Sequence, residues 1–132
     1  MDHKALALEM RGLREQVTGI TDTAVAAADG LLIAADTADS IDPEGLAALA
    51  AAGLGLARRT AEATARGTLR RTVTYGSHGC AAFYAVGETA LMVVLGDEGM
   101  DVDHLHRATQ PTLNRIGSIL TDKATEKASE GV

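Results

Sequence analysis

The residues of this 132-residue chain best suited to chemistry are one cysteine and four histidines, and the first pair to consider is Cys80 with His78. A thiol beside an imidazole is the nucleophile-and-base arrangement of cysteine hydrolases. The two residues stand where a Gly-Ser-His-Gly turn passes into an apolar strand, and a cysteine in such a strand packs as a small hydrophobic side chain. We favour packing over catalysis and keep a Cys80 hydrolase as the third of three hypotheses.

A second group consists of His104 and His106 with the neighbouring Asp101 and Asp103, which are residue types that bind metal ions. Side chains two positions apart on a helix do not share a face, so the two imidazoles do not converge on one ion. Surface histidines and carboxylates at a helix start explain the segment. We therefore predict no metal site.

Two glycine-rich segments, Gly76–Gly79 and Gly96–Gly99, have the composition of phosphate-binding loops. Neither matches a P-loop or a dinucleotide fingerprint with a strand before it and a helix after it. The second segment is also acidic, so it would repel phosphate. We interpret both as turns and predict no cofactor.

Positive charge is concentrated in one stretch of an otherwise acidic chain, whose net charge is −6. The arginines of this stretch are Arg58, Arg59, Arg66, Arg70 and Arg71. They either form a contact face for an acidic partner surface or for phosphates, or they are the solvated end of a helix and an edge strand. The candidate partner-binding residues are three of these arginines and a glutamate spaced i, i+4 from the last of them: Arg58, Arg59, Glu62 and Arg66.

The bulk properties narrow the function further. The negative charge argues against nonspecific nucleic-acid binding and against docking on anionic lipid. One cysteine excludes an intramolecular disulfide, and the longest apolar run, Leu46–Ala57, has 12 residues where a membrane span needs about 18. The N-terminal residues carry charges and lack the apolar core of a signal peptide, so we expect a cytoplasmic protein. Nine arginines against three lysines, with many Ala and Gly residues, suggest a GC-rich bacterial genome.

Hydrophobic periodicity divides the chain into the order α-β-β-α-β-β-β-α, which is one α+β domain over residues 1–132 with a frayed tail from about 125 to 132. Asp29-Gly30 predicts a type I′ hairpin turn, Gly67 the end of the second helix, and Pro111 a kink or a restart in the last helix. The predicted elements are Lys4–Val17, Thr23–Ala28, Leu31–Ala35, Pro43–Arg66, Leu69–Tyr75, Cys80–Val86, Thr89–Leu95 and Val102–Ala124.

Two of these elements predict surfaces that need a partner. The second helix is apolar over more than half its circumference, so one face packs on the sheet and another needs cover from a helix of the same chain or from a partner chain. The third strand is half polar, as edge strands are. The last two strands are apolar on both faces, so helices must cover the sheet on both sides.

The element order resembles the roadblock (dynein light chain) family in its bacterial form. Three segments carry the likeness, Val25–Ala34, Leu56–Glu62 and Phe83–Leu95, and the resemblance covers nearly the whole chain. It implies a profilin-like, three-layer α/β/α fold. In this fold a five-stranded antiparallel sheet has the long second helix on one face and the terminal helices on the other.

The resemblance also implies a homodimer that pairs the third strands and the second helices of two chains. The dimer-interface residues named on this basis are Ala50, Gly53, Leu54, Ala57, Arg70, Thr72 and Thr74. The resemblance further implies a small Ras-like GTPase as partner in a bacterial signalling module, with hydrolysis stimulated by some members without a finger arginine. We assign no catalytic residue, since a finger from Arg58 or Arg59 would have to reach the γ-phosphate.

The leading hypothesis is therefore a non-catalytic, homodimeric regulator or scaffold of a small GTPase. The alternative is a small-molecule-sensing domain of a signalling system, because related sheets hold ligands. Aromatic residues make up only 2% of the chain and the strands are filled with alanine, which counts against a ligand cavity.

Overall fold

The computed structural model describes residues 2–130, and their side chains as far as residue 121. The element order α-β-β-α-β-β-β-α is confirmed. The elements are α1 His3–Gln16, β1 Ile20–Ala27, β2 Leu32–Asp36, α2 Pro43–Ala63, β3 Arg71–Gly76, β4 Gly79–Val86, β5 Ala90–Gly96 and α3 Val102–Glu130.

The five strands form one antiparallel sheet in the order β2-β1-β5-β4-β3. β5 lies at the centre, and its successive side chains are buried against opposite faces of the sheet. On one face, α1 and α3 pack over Val25, Met92 and Val94. On the other face, α2 packs over Leu91 and Val93. The predicted three-layer α/β/α architecture is thus confirmed.

The layer beneath α2 is built from very small side chains. Ala47 and Ala50 of the helix meet Ala24 and Ala26 of β1, and all four are completely buried. Gly53 lies over the ring of Phe83, because a Cβ built at this glycine would stand 3.1 Å from the Phe83 Cε2 atom. The helix therefore lies close to the sheet along its length, which agrees with the alanine-rich composition.

All three helices are capped by the aspartate that directly precedes them, which is Asp2, Asp42 or Asp101. The Asp2 carboxylate accepts a hydrogen bond from the Ala5 N–H at 2.9 Å, and Asp42 accepts one from the Glu44 N–H at 3.2 Å. Pro43 occupies the first turn of α2, where its missing N–H costs nothing. The sequence signals for the starts of α1 and α2 are thus confirmed.

The β1–β2 hairpin forms as predicted, but its turn is not of type I′. Gly30 has a φ of 95°, whereas Asp29 does not have a positive φ. Ala27 and Leu31 close a three-residue loop, in which the Ala27 N–H donates to the Leu31 carbonyl at 2.9 Å. The Asp29 side chain accepts from the Leu31 N–H at 3.1 Å. The loop has three residues rather than the two of a type I′ turn, so only Gly30 must adopt a left-handed conformation. This is the pattern of a G1 bulge.

The last helix differs from its prediction in two respects. It continues without interruption through Pro111, so the predicted restart does not occur. Pro111 is exposed, and the carbonyl that loses its partner can bond to water on that side. The helix also runs on to Glu130 rather than ending near Ala124. Of the predicted frayed tail, residues 131 and 132 lie outside the described residues.

The second helix ends at Ala63 rather than near Arg66, because the stop is made by an alanine and not by Gly67. Ala65 adopts a φ of 55°. The Arg66 N–H donates to the Ala61 carbonyl at 2.8 Å and the Ala65 N–H to the Glu62 carbonyl at 3.3 Å. This is a Schellman motif with alanine at the position that usually holds glycine.

We expect Ala65→Gly to raise the free energy of unfolding by about 1 kcal/mol, because glycine takes the left-handed conformation without the Cβ clash. Urea unfolding followed by circular dichroism measures the change. Ala52→Gly is the matched control, since Ala52 is exposed within the same helix and glycine there should destabilise. A loss of stability in both variants would contradict the strained cap.

Candidate partner-binding surface

An apolar stripe on α2 is left uncovered by the protein itself. Leu49 and Leu56 are 68% and 67% exposed, and their seven-residue spacing places them on one side of the helix. Ala50 and Leu54, by contrast, are 0% and 1% exposed. The helix is thus apolar on two sides, of which only one meets the sheet.

Ala50 and Leu54, which the sequence placed at a dimer interface, lie instead in the interior of their own chain. Both side chains already pack against the sheet of their own chain, within the cluster that includes Leu91 and Val93. Their small size brings α2 close to the sheet, not to another helix. Gly53 and Ala57 are only half buried, so they remain part of the uncovered side.

The uncovered side of α2 continues as a groove toward β3. The groove has a volume of about 500 Å³, and Leu56, Ala57 and Thr60 of α2 line it together with Leu69 and Thr72. β3 is an edge strand, as predicted, because it pairs with β4 alone. Backbone N–H and C=O groups along its outer side have no strand to bond within residues 2–130. The stripe, the groove and the open strand form one surface, which we call the α2–β3 surface.

One aromatic side chain on this edge also lacks cover. Tyr75 is 70% exposed near the end of β3, and Thr74 beside it is exposed as well. Arg70, another predicted interface residue, is exposed just before the strand begins. Of the seven predicted interface residues, four lie on the α2–β3 surface, namely Gly53, Ala57, Thr72 and Thr74, while Arg70 lines a neighbouring groove toward α3.

The predicted partner-binding residues do not share one face. Arg58 and Glu62 border a groove of about 470 Å³ that reaches Glu88 in the β4–β5 turn. Arg66 lies on the other side of the helix end and borders the groove next to β3. Arg59 is exposed and lines neither groove. Within residues 2–121, none of these three arginines forms an ion pair, so their charges are available to a partner.

A polar contact that the sequence did not predict joins α3 to β4. The hydroxyl of Tyr84 lies 2.7 Å from Nδ1 of His106, and the two rings meet edge to face with centroids 5.7 Å apart. Tyr84 is 2% exposed, and His106 is half buried, so the prediction of a surface histidine is wrong at this position. The sequence gives no sign of this pair, because the two residues are 22 positions apart and belong to different elements.

Burial determines the protonation of this pair. It raises the pKa of Tyr84 to about 12, against smaller effects of a hydrogen bond with Thr109 and of the Arg71 charge. It also lowers the pKa of His106, with the positive charge of Arg71 as a second cause and Asp103 opposing both. At neutral pH the tyrosine is therefore a phenol and the histidine a neutral imidazole, and the imidazole tautomer determines which of the two donates.

The remaining titratable candidates are not brought together. The His78 imidazole lies 3.1 Å from the Glu98 carboxylate at the surface, while Cys80 is half buried in β4. Burial raises the pKa of the Cys80 thiol, which disfavours the thiolate that a nucleophile needs. In the part of the chain that the structure describes, no three His, Cys, Asp or Glu side chains are grouped to hold a metal ion. None of the helices in that part is long and apolar enough to cross a membrane.

Comparison with known proteins identifies the family and the fold of the chain. The family model described as Roadblock/LC7 domain matches residues 6–96. The uncharacterized protein MJ0310 of the archaeon Methanocaldococcus jannaschii is 40% identical over 79 residues, which are 60% of this chain and 68% of that protein.

Two solved structures share the fold. A Roadblock/LC7 domain from Streptomyces avermitilis superposes with a TM-score of 0.80, at 21% identity over 86% of this chain and 96% of that chain. MglB of Myxococcus xanthus superposes with a TM-score of 0.83, at 15% identity over 92% of this chain and 91% of that chain.

The lowered pKa of His106 predicts a pH dependence of stability. The unfolded state binds a proton on this histidine at a higher pH than the folded state does. The contribution of the neutral side chain is therefore complete above a pH of about 6.5 and is lost as the pH falls through the lower folded pKa.

We expect His106→Gln to lose less stability than the wild type between pH 7.5 and pH 5.5. Thermal unfolding at the two pH values measures the difference. His104→Gln is the control, because His104 is exposed on the same helix. An unchanged pH response in the His106 variant would contradict the lowered pKa of His106.

Proposed function

The chain belongs to the Roadblock/LC7 family, and on that premise we propose that it is a homodimeric regulator or scaffold that binds a small Ras-like GTPase. It has no catalytic site of its own in this proposal. Its place is a cytoplasmic bacterial signalling module, where it stimulates GTP hydrolysis through the partner's own residues and donates none of its own.

The observation that carries the self-association is the α2–β3 surface. Single exposed apolar side chains are usual on a protein surface, but here Leu49 and Leu56 lie on one side of α2, and Leu56 lines a groove that ends at an open strand edge. An open edge invites pairing with another strand. A second copy of the chain has the same apolar helix side and the same open strand. One two-fold axis can therefore pair helix with helix and strand with strand.

A two-fold dimer of this kind would extend the sheet from one chain into the other through β3. It would also bring the two α2 helices side by side, with Gly53 and Ala57 at positions where a small side chain allows close approach. Leu56 would then leave water in both copies. This arrangement needs no conformational change in α2, since the stripe already faces away from the sheet.

The proposed GTPase contact rests on family membership and on the unpaired arginines. A small GTPase presents acidic side chains and a bound nucleotide phosphate, and both attract guanidinium groups. Arg58 and Arg59 point to neighbouring sides of α2 near its C-terminal end, and Arg66 follows just after the helix. In the dimer Arg58 and Arg59 would lie on the outer surface of the paired helices, where a partner can reach them, whereas Arg66 would border the dimer contact, because it lines the groove next to β3.

We expect Leu56→Glu to raise the dissociation constant of the homodimer by roughly 100-fold or more, because each copy loses a buried leucine and places a charge in an apolar contact. Size-exclusion chromatography with light scattering over a concentration series measures this. Leu8→Glu is the control, since Leu8 is 56% exposed on α1, on the far side of the sheet. A wild-type protein that is monomeric at every concentration would overturn the homodimer.

We expect the tagged protein to retain a small GTPase from native lysate, tested with GDP and with a non-hydrolysable GTP analogue. Retention mainly with the analogue indicates an effector or activator, and retention with both indicates a scaffold. Arg58→Ala with Arg59→Ala should reduce retention about tenfold or more, because charge-assisted bonds are lost. Arg11→Ala, an exposed arginine of α1, should not. No GTPase with either nucleotide would contradict the proposal.

A further inference from the structure

The free edge of β3 has an internal pattern that restricts how a second strand can pair with it. The carbonyl of Arg70 accepts a hydrogen bond from the Ala85 N–H of β4 at 2.9 Å. In an antiparallel ladder the residues that bond to one neighbour alternate with those that bond to the other. The backbone groups of Thr72 and Thr74 therefore point to β4. Those of Arg71, Val73 and Tyr75 point to the open edge.

Side chains alternate in the same way. Val73 packs with the cluster beneath α1 and α3, so Arg71 and Tyr75 project from that same face. Thr72 lines the groove beside α2 on the opposite face. The residues with outward backbone groups are thus also the residues that carry the uncovered ring of Tyr75 and the guanidinium of Arg71.

Symmetry reduces the possible registers to a few. For α2 of one copy to lie beside α2 of the other, the two-fold axis must run perpendicular to the sheet. The face that carries α2 in one copy is then continuous with the face that carries α2 in the other. Residues opposite one another must then project from the same face, so the axis passes through a single residue of β3. The candidates within the strand are Thr72, Val73 and Thr74.

Only one of these three positions of the axis pairs the full length of the β3 edge. With the axis at Val73, Arg71 is opposite Tyr75 of the partner subunit and Val73 is opposite itself, so every outward-pointing residue of β3 has a partner. With the axis at Thr74, Arg71 falls opposite a residue of the β3–β4 turn. With the axis at Thr72, Tyr75 falls opposite a residue that precedes the strand. Backbone hydrogen bonding therefore favours Val73.

The side chains agree with this choice. Arg71 forms no ion pair within residues 2–121, and the exposed ring of Tyr75 is a suitable surface for a guanidinium to stack on. On the other face, Thr72 meets Thr74 of the partner subunit in a pair without backbone bonds. In such pairs the side chains approach most closely, and threonine pairs stabilise a sheet.

Resting on the homodimer proposed above, we propose that two copies pair through β3 in the register centred on Val73, and that Arg71 of each copy stacks on Tyr75 of the other. The two symmetric contacts select a second copy of this chain over other edge strands. The partner is thus recognised by complementary side chains spaced four residues apart, and not by the open backbone alone.

Single cysteines introduced into a Cys80→Ala background test the register. Val73→Cys should give a covalent dimer on oxidation, because the opposed Cα atoms would be about 5.5 Å apart, within the range of a disulfide. Thr72→Cys and Thr74→Cys should not, since each would lie about 8 Å from its own copy. The double variant Thr72→Cys with Thr74→Cys should cross-link, which provides a second test if Val73→Cys folds poorly.

The outcomes separate this inference from the homodimer itself. Covalent dimers from Thr72→Cys or Thr74→Cys alone would overturn the Val73 register and leave the homodimer standing. A dimer by light scattering that none of the variants cross-links would likewise overturn only the pairing through β3. A monomeric parent protein would overturn both proposals.

An exchange of side chains tests the stacking. Tyr75→Arg places arginines opposite one another and should raise the dissociation constant of the dimer about tenfold or more, through lost stacking and like-charge repulsion. The exchanged double variant, Arg71→Tyr with Tyr75→Arg, restores the pairs and should recover most of the affinity. A double variant weaker than Tyr75→Arg alone would overturn the Arg71–Tyr75 contact.

Discussion

The central strand β5 can face water on neither side, because Leu91 and Val93 point to one face of the sheet and Met92 and Val94 to the other, each at most 1% exposed. The sheet must therefore be covered by helices on both faces. α1 and α3 cover one face with long side chains such as Leu6 and Ile116. α2 covers the other face alone, and its single-helix layer leaves the rest of that face uncovered.

The way α2 covers the sheet explains why a surface remains for a partner. Its contact is made by alanines and one leucine, which need little of the helix circumference. The leucines on the next side, Leu49 and Leu56, are left 68% and 67% exposed. Because β3 ends the sheet beside the same helix, uncovered apolar side chains and uncovered backbone groups occur together.

Periodicity and turn residues were sufficient to predict the order of elements, the edge character of β3 and the starts of α1 and α2. These features are local, since each depends on neighbours within a few residues of the chain. The sequence predicted that β1 begins at Thr23, whereas it begins at Ile20. The difference arises because the charged Asp22 interrupts the apolar pattern. This aspartate is a poor strand former in isolation, yet it is buried and its carboxylate accepts from the Ala38 N–H at 2.7 Å.

The features that the sequence did not reveal depend on distance through space. The apolar pattern of α2 shows that two sides need cover, but it does not show that Ala50 and Leu54 lie on the side that meets the sheet. Tyr84 and His106 become neighbours only when α3 lies over β4. The left-handed Ala65 was hidden by the nearby Gly67, which is the better residue for that conformation.

The alanine layer beneath α2 has a consequence for how this chain can evolve. In most cores the large side chains tolerate substitution least, because their loss leaves a cavity. Here the smallest side chains, among them Ala24, Ala47 and Ala50, are the most restrictive, because each added methyl group must lift the helix away from β1 or strain it. A shift of the helix would also move Leu56 relative to β3. Selection on the protein's interior and selection on its exterior surface therefore act on the same few alanines.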